Sequence, residues 1–198
     1  MILYVPSENC PFYSISYRGR EVIEESQLGL RFSAAGELSN CFEVENVRTD
    51  KHKGEWEPAY GERAVMPDCW REMTAELKET IMPARTLHIT FRAYNEGAAL
   101  RYTVPEQDGF NDFCIIDELT HFTLPEGAVG YAEYHIEGEY EKVPVEEIKP
   151  NCEWPLTVQC PNGVCLCLTE ANLYTTTRAC SSRRRSGTRT RSPGWRRR

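Results

Sequence analysis

Four cysteines near the C-terminal end of the chain form a group of potential metal ligands. Cys160, Cys165, Cys167 and Cys180 are separated by four, one and twelve residues. Structural zinc sites favour cysteine pairs two to four residues apart, whereas Cys165 and Cys167 alternate onto one face of a predicted strand. The spacing therefore favours isolated thiols over a zinc centre, and the zinc content of purified protein distinguishes the two.

Acidic side chains are numerous, but only one is singled out by its position. Acid–base catalysis by two carboxylates needs one raised and one ordinary pKa at a fixed separation, and among 30 Asp and Glu residues chance pairs are inevitable. Glu170 differs because it closely follows the apolar segment Val164–Leu168, where an acidic side chain can emerge from the end of a buried strand. It is either a ligand or a solvated or ion-paired surface residue.

Composition narrows the classes of function. The chain has neither a glycine-rich nucleotide-binding loop nor a Gly-x-Ser-x-Gly nucleophile motif, and its four histidines are dispersed. Residues 1–174 carry 14 basic and 30 acidic side chains, a formal charge of −16, and such an acidic body repels nucleic acid. No apolar run approaches the length of a membrane span. At 198 residues and 40% hydrophobic content, the chain predicts one globular domain.

The predicted element around which the chain is organised is a β-hairpin over residues 87–105. Apolar and polar side chains alternate on both sides of its turn, which is the period-two pattern of half-buried strands. Keeping both apolar sets on one face requires Phe91 to oppose Leu100 or Tyr102, so the loop holds an even number of residues. Two turn residues are expected to supply positive φ, namely Asn95 and Gly97.

Short strands separated by turns account for most of the remaining sequence. Strands are predicted at residues 12–17, 22–23, 28–32, 43–48, 113–124, 131–136, 154–158 and 164–168. The polar segment Thr49–Gly54 is predicted to be a connection, and residues 69–80 fit both a helix and a strand. Many short strands without a convincing helix predict an all-β fold, a two-sheet antiparallel β-sandwich.

The hairpin and several other segments resemble the N-terminal domain of glycoside hydrolase family 97. The matching segments are Tyr13–Arg20 with Ser26–Leu30, Trp56–Pro58 with Gly61–Glu62, Phe91–Pro105, Glu118–Phe122 and Leu168–Leu173. In this bacterial family of α-glucosidases and α-galactosidases, a β-sandwich of the galactose-mutarotase-like supersandwich type precedes a catalytic (β/α)8 barrel. The resemblance covers residues 11–174, and nothing resembling the barrel follows.

The resemblance implies a supporting role for this chain. In the family both catalytic carboxylates belong to the barrel, so the chain alone is expected to be inactive. The family's active-site calcium takes one ligand from a sandwich-domain glutamate at the position of Glu170 and most of the others from barrel carboxylates. A hard cation needs several oxygens, so one glutamate does not bind it alone. The expected partners are the barrel and, in the full enzyme, an α-linked glycan; residues 69–80 are expected to be a strand.

Four further side chains could contact a sugar or the barrel, although each also has an ordinary structural explanation: Arg92, Arg101, Trp56 and Trp154. The two arginines lie on the polar face of the hairpin, and pairing with an acid such as Glu96 or Glu118 is favoured in so acidic a chain. An isolated tryptophan in a β-protein usually packs in the core or at its rim.

The segment Thr175–Arg198 departs from everything before it, with nine arginines and no acidic residue. Its few apolar side chains cannot offset the entropy of ordering, so we expect disorder. It is interpreted as a nucleic-acid arm, as an address signal, or as GC-rich DNA read in a shifted frame, which the absence of lysine favours. Family members are typically periplasmic or secreted, whereas residues 1–8 lack a secretory signal, which leaves the compartment open.

The preferred interpretation is a family 97-type sandwich domain over residues 1–174 with a disordered tail over residues 175–198. In the full enzyme this domain packs on the barrel and donates one calcium ligand. The alternative is a free-standing carbohydrate-binding or protein-interaction sandwich, which needs an exposed aromatic platform. Nucleic-acid binding through the tail is a third possibility, which the acidic body opposes. Glycan binding by the isolated chain favours the second interpretation, and salt-sensitive DNA binding favours the third.

Overall fold

The computed structural model describes residues 2–5, 10–135 and 137–170, and these form two compact units. The first unit spans Cys41–Asn111, and the second combines residues 2–40 with the described residues from 112 to 170. Every strand pairing is antiparallel. The described segments hold one 3-10 turn, Val145–Glu147, and no helix with the length and apolar character needed to cross a bilayer. The predicted all-β fold of the antiparallel sandwich class is confirmed.

The strands of the described residues are joined by turns and loops of different lengths. Their bounds are β1 Ile2–Tyr4, β2 Phe12–Tyr17, β3 Arg20–Gln27, β4 Leu30–Phe32, β5 Gly36–Leu38, β6 Phe42–Trp56, β7 Met66–Glu79, β8 Thr86–Tyr94, β9 Ala98–Thr103, β10 Ile115–Glu118, β11 Val129–Ala132, β12 Glu141–Pro144, β13 Leu156–Gln159 and β14 Cys165–Leu168. The predicted tail and the domain boundary at residue 174 lie outside the described residues.

The first unit is a single four-stranded sheet in the order β6-β7-β8-β9. Its predicted hairpin is β8–β9, in which Phe91 opposes Leu100 as the hydrophobic alternation required. Four residues separate the last pair, Ala93 and Ala98, so the loop is even as predicted. The expected positive φ at Asn95 and Gly97 is wrong, since neither residue adopts it. A four-residue connection does not impose the left-handed pair that a two-residue primed turn requires.

Strand β6 is much longer than its sequence pattern indicates. The prediction of a strand over residues 43–48 followed by a connection over residues 49–54 is wrong, because β6 pairs with β7 without interruption from Asn46 to Trp56. Nearly all of its residues are exposed on both faces. A strand solvated on both sides needs no alternation of apolar and polar residues, so period-two reasoning cannot detect it. Its many charged side chains suit an edge strand, since they oppose pairing with other chains.

Strand β7 resolves the ambiguity of residues 69–80 in favour of a strand, as expected from the resemblance. It pairs with β6 on one side and β8 on the other. Its buried residues Ala75 and Leu77 are two apart, which is the strand period. Because the backbone groups of β7 are engaged on both sides, the helical alternative is excluded.

The second unit contains three sheets, ordered β1-β2-β3, β10-β4-β5 and β12-β11-β13-β14. Its core includes buried side chains from β2, β3, β4 and β13, among them Tyr13, Ile23, Leu30, Phe32 and Val158. The predicted turn of Pro161, Asn162 and Gly163 joins β13 to β14, and Gly163 takes φ +83° there. Glycine adopts this left-handed conformation without the steric penalty of a Cβ.

Candidate functional site

Glu170 lies two residues beyond the end of β14, in the position that the sequence predicted. Strand β14 is held by β13, with Leu168 opposite the buried Leu156. Glu170 itself is exposed. In the part of the chain that the structure describes, no Lys, Arg or His forms an ion pair with its carboxylate. The Glu170 carboxylate is therefore exposed to solvent, and its role as a ligand stays a prediction.

A second carboxylate, that of Glu118 at the end of β10, lies within electrostatic range of Glu170. Glu118 is exposed as a residue, but neighbouring protein atoms displace water from its carboxyl group, and this raises the pKa of Glu118. The negative charges of Glu170 and Asp117 raise the pKa further, while a hydrogen bond from the Thr120 hydroxyl at 2.6 Å opposes the shift. Two neighbouring carboxylates that have no cationic partner form a favourable environment for a bound cation.

Backbone hydrogen bonds hold the segment that carries Glu118. Strand β10 pairs with β4, with Glu118 opposite Leu30, and the next residue donates its N–H to the Gly29 carbonyl at 2.8 Å. Gly29 in turn lies so close to Ser39 that a Cβ would stand 2.7 Å from the serine Cβ. Asp117 is already neutralised by Arg31 at 2.9 Å. Glu118 is thus fixed in place while its neighbour takes the nearby cation.

The described residues do not form a complete calcium site. Calcium takes six to eight oxygen ligands, and the described residues contain no group of three or more His, Cys, Asp and Glu that could hold a metal ion. Glu170 and Glu118 offer carboxylate oxygens of the right chemical type. A calcium ion at this position would need further oxygens from outside the described chain.

The structure gives the two hairpin arginines different surroundings. Arg92 pairs with Glu72, with Nη2 and Oε2 2.6 Å apart, and its guanidinium lies 4.0 Å from the centre of the Trp70 ring. The prediction of an acidic partner is confirmed, but the partners suggested for it, Glu96 and Glu118, are wrong. Glu72 lies directly opposite Arg92 across the β7–β8 pair. Side chains of directly opposite residues are close enough to pair, so Arg92 pairs with Glu72 and not with a more distant acid. 

Arg101 is exposed and forms no ion pair within the described residues. Trp154 packs edge-on against Phe122 with ring centres 6.0 Å apart, which is the packing role favoured for an isolated tryptophan. Trp56 is 53% exposed at the far end of β6.

The cysteine cluster contains thiols of two kinds. Cys160 is buried, and burial raises the pKa of its thiol, while the nearby Cys165 raises it further. Cys165 and Cys167 are exposed on β14. Cys180, the fourth member, lies outside the described residues, so the structure does not test the zinc site. Measurement of the zinc content of the purified protein tests it.

Sequence reasoning missed a second feature, a polar cavity of about 480 Å³ on the first unit. It lies on the polar face of the β6–β9 sheet, where one cross-strand row consists of Arg48, Thr74, Thr90 and Arg101. Part of this row could have been found in the sequence, because the register that pairs Phe91 with Leu100 also pairs Thr90 with Arg101. The rest was hidden because it depends on the pairing of Thr74 in β7 with Arg48 and with Thr90, and the sequence left β7 ambiguous.

Comparison with known families connects these features to a larger class of proteins. The sequence profile described as Glycosyl-hydrolase 97 N-terminal matches residues 3–191 of this chain. The matched segment therefore takes in nearly all of the described residues, including both Glu118 and Glu170.

Solved structures give the same grouping. A glycoside hydrolase family 97 enzyme from Pseudoalteromonas sp. strain K8, in complex with panose, is 27% identical with a TM-score of 0.77, and the match covers 83% of this chain and 26% of that one. The same values hold for the acarbose complex from that strain. A beta-arabinopyranosidase, at 21% identity, shares the fold with a TM-score of 0.78 over 87% of this chain and 30% of its own. This chain thus spans less than a third of the length of these relatives.

Proposed function

Because this chain belongs to the glycosyl-hydrolase 97 N-terminal family, we propose that it is the non-catalytic β-sandwich of a calcium-dependent α-glycosidase. In this role it packs on a catalytic (β/α)8 barrel and donates one ligand, the Glu170 carboxylate, to the calcium ion of the active site. The observation that carries the assignment is the exposed Glu170 carboxylate, which lies within electrostatic range of Glu118 and has no cationic partner among the described residues.

Electrostatics and coordination chemistry support the proposal together. A divalent cation near Glu170 and Glu118 would relieve the repulsion between the two carboxylates and favour the ionised form of both. Since the described residues do not provide six to eight oxygens, the remaining ligands come from the proposed barrel. Glu170 follows the paired strand β14 by two residues, and it is exposed.

The proposed substrate class is an α-linked glucan. The similar Pseudoalteromonas enzymes were solved with panose and acarbose, and this chain covers only 26% of those proteins. The substrate is therefore bound by the barrel, and the sandwich contributes to it through the metal. On this proposal the 198-residue product alone does not hydrolyse α-glucosides; hydrolysis by the chain unaided, with contaminating hydrolases excluded, would contradict it.

The test joins this chain to the barrel of a family 97 enzyme and measures hydrolysis against calcium concentration. Glu170→Gln keeps the size of the side chain but removes its charge, and we expect the calcium concentration for half-maximal activity to rise about tenfold or more. Glu126→Gln, an exposed acid elsewhere in the same unit, is the matched control and should leave calcium dependence unchanged. An unchanged calcium requirement in Glu170→Gln removes the assignment.

A further inference from the structure

The polar cavity on the first unit has the shape of a trough, which is named here the polar trough. The row Arg48, Thr74, Thr90 and Arg101 crosses it, with one residue from each strand of the sheet, and the two threonines form its floor. The two central side chains are short threonines and the two outer ones are long arginines. Neighbouring strands are about 4.8 Å apart, so the outer strands stand about 14 Å apart. Short residues between long ones make the surface concave, with a volume of about 480 Å³ that falls within the range of small-molecule pockets.

The floor of the trough is polar although it is largely shielded from solvent. Thr90 is only 6% exposed, and its hydroxyl lies 2.9 Å from that of Thr74. In such a pair one hydroxyl donates to the other, which leaves one proton and several lone pairs for another partner. The two threonine hydroxyls can therefore form hydrogen bonds with a ligand, and no apolar surface has to be removed from water for this.

The rims carry hydrogen-bonding groups that the described part of the chain does not use. Glu72 accepts hydrogen bonds from Arg92 through Oε2, and its Oε1 has no partner among the described residues. The side chains of His88 and Arg101 also line the cavity, and they make no hydrogen bond or ion pair with any described residue. An acceptor, an imidazole and a guanidinium therefore face one concave space.

The charge balance of the trough selects the class of ligand. Two of the four charged side chains already have partners beside the trough, since Arg48 pairs with Glu76 at 2.7 Å and Glu72 with Arg92 at 2.6 Å. Arg101 and Asp50 contribute one further positive and one further negative charge. The formal charges cancel when His88 is neutral, so neither a phosphate nor a metal cation is favoured. The lining holds no apolar side chain, which disfavours a hydrophobic ligand. A neutral molecule with many hydroxyl groups satisfies donors and acceptors alike.

We propose that the polar trough is a saccharide-binding site, distinct from the carboxylates at Glu170. Recognition there depends on hydrogen bonds from the threonine floor and the Arg101 and His88 rims. Stacking contributes little, because the nearest tryptophan, Trp70, already has His52 against its ring at 5.5 Å and Arg92 at 4.0 Å. Without an aromatic platform the affinity is in the range of about 1 mM.

The test is an NMR titration of the isotope-labelled 198-residue chain with maltotriose from about 0.1 to about 50 mM, a range that brackets millimolar affinity. We expect saturable shifts of the His88 and Arg101 signals. Arg101→Ala, which changes an exposed residue, should weaken binding about tenfold. Thr90→Val keeps the side-chain shape, removes the floor hydroxyl and should weaken binding similarly. Arg71→Ala is the matched control, since Arg71 lies on the other face of β7, and it should leave affinity within about twofold.

Three results overturn the proposal. The first is the absence of a saturable shift in the folded wild-type chain. The second is binding that both variants leave unchanged although circular dichroism shows them folded. The third is inorganic phosphate that shifts the same signals at lower concentration than maltotriose does, since a neutral trough should not prefer an anion. None of these touches the proposed function, which is read from calcium-dependent hydrolysis and a residue of the other unit.

Discussion

A buried ion pair between Glu79 and Arg85 closes the turn from β7 to β8, and its removal should strongly destabilise the protein. The Glu79 side chain is 3% exposed and that of Arg85 7%. The Arg85 Nε and Nη2 donate to the two carboxylate oxygens at 2.7 and 2.6 Å, and the Arg85 backbone N–H donates to Oε2 at 3.0 Å. Glu79→Gln keeps the size of the side chain but leaves the guanidinium without its counter-charge.

The expected loss follows from the cost of an unpaired buried charge. Breaking a buried pair by removing one partner costs about 3–5 kcal/mol, whereas replacing both partners by apolar residues is often close to neutral. A loss of this size is a large part of the about 5–15 kcal/mol that stabilises a typical domain. With a urea slope of about 2 kcal/mol/M, the unfolding midpoint should fall by about 2 M.

Urea unfolding followed by circular dichroism provides the measurement. Glu79→Gln should show the full loss, and the double variant Glu79→Leu with Arg85→Met should recover most of it, because neither charge is then left alone. Glu45→Gln is the control, since its pair with Lys78 at 2.9 Å is exposed on both sides and should contribute far less. A loss below about 1 kcal/mol in Glu79→Gln, or a double variant no more stable than the single one, refutes the reasoning.

Two further predictions concern the second unit. The hydrogen bond from Arg31 lowers the pKa of Glu37, so its contribution to stability is present above the unfolded-state pKa and is lost as the pH falls through the folded-state value. Glu37→Gln should therefore lower the free energy of unfolding by up to about 1 kcal/mol near neutral pH. In thermal unfolding, the difference from wild type should shrink towards about pH 3, and a difference that grows would contradict this prediction. Gly29→Ala places a Cβ 2.7 Å from that of Ser39 and should cost about 1–3 kcal/mol in the same assay, whereas Gly97→Ala, which meets nothing within 4 Å, is the control; equal losses would contradict the clash.

The fold was predictable wherever one face of a strand is buried. The alternation around Phe91 limited its partner to Leu100 or Tyr102, because a slip by one residue would have exposed the whole apolar set, and the structure has Leu100. The Pro-Asn-Gly turn likewise located the β13–β14 pair, and the Gly163 conformation agrees with the reason for placing it there. Sequence pattern and structure agree at these positions because burial and turn chemistry are both local signals.

Side-chain partners and solvated strands were not predictable in the same way. The choice of Glu72 as the partner of Arg92 depends on the register of β7, a strand whose pattern was ambiguous in isolation. Left-handed backbone at Arg18 and Cys41, with φ of 50° and 58°, has no cue in residue type, since neither is glycine or asparagine. Both outcomes are set by the tertiary arrangement of strands that are distant in sequence.

The same physical property that hid β6 from sequence reasoning gives the polar trough its wall. A strand exposed on both faces carries polar side chains without period, so it looks like a connection, yet pairing with β7 brings Arg48 into line with Thr74. The periodicity of a sequence shows which side chains of a strand are buried, whereas a ligand site on a sheet is formed by the side chains that stay exposed to water. The hydrophobic pattern of the strands sets their register. The register of all four strands then determines which polar side chains line up in one row across the sheet. Candidate sites on β-sheets are better sought from rows of paired residues than from motifs along one strand.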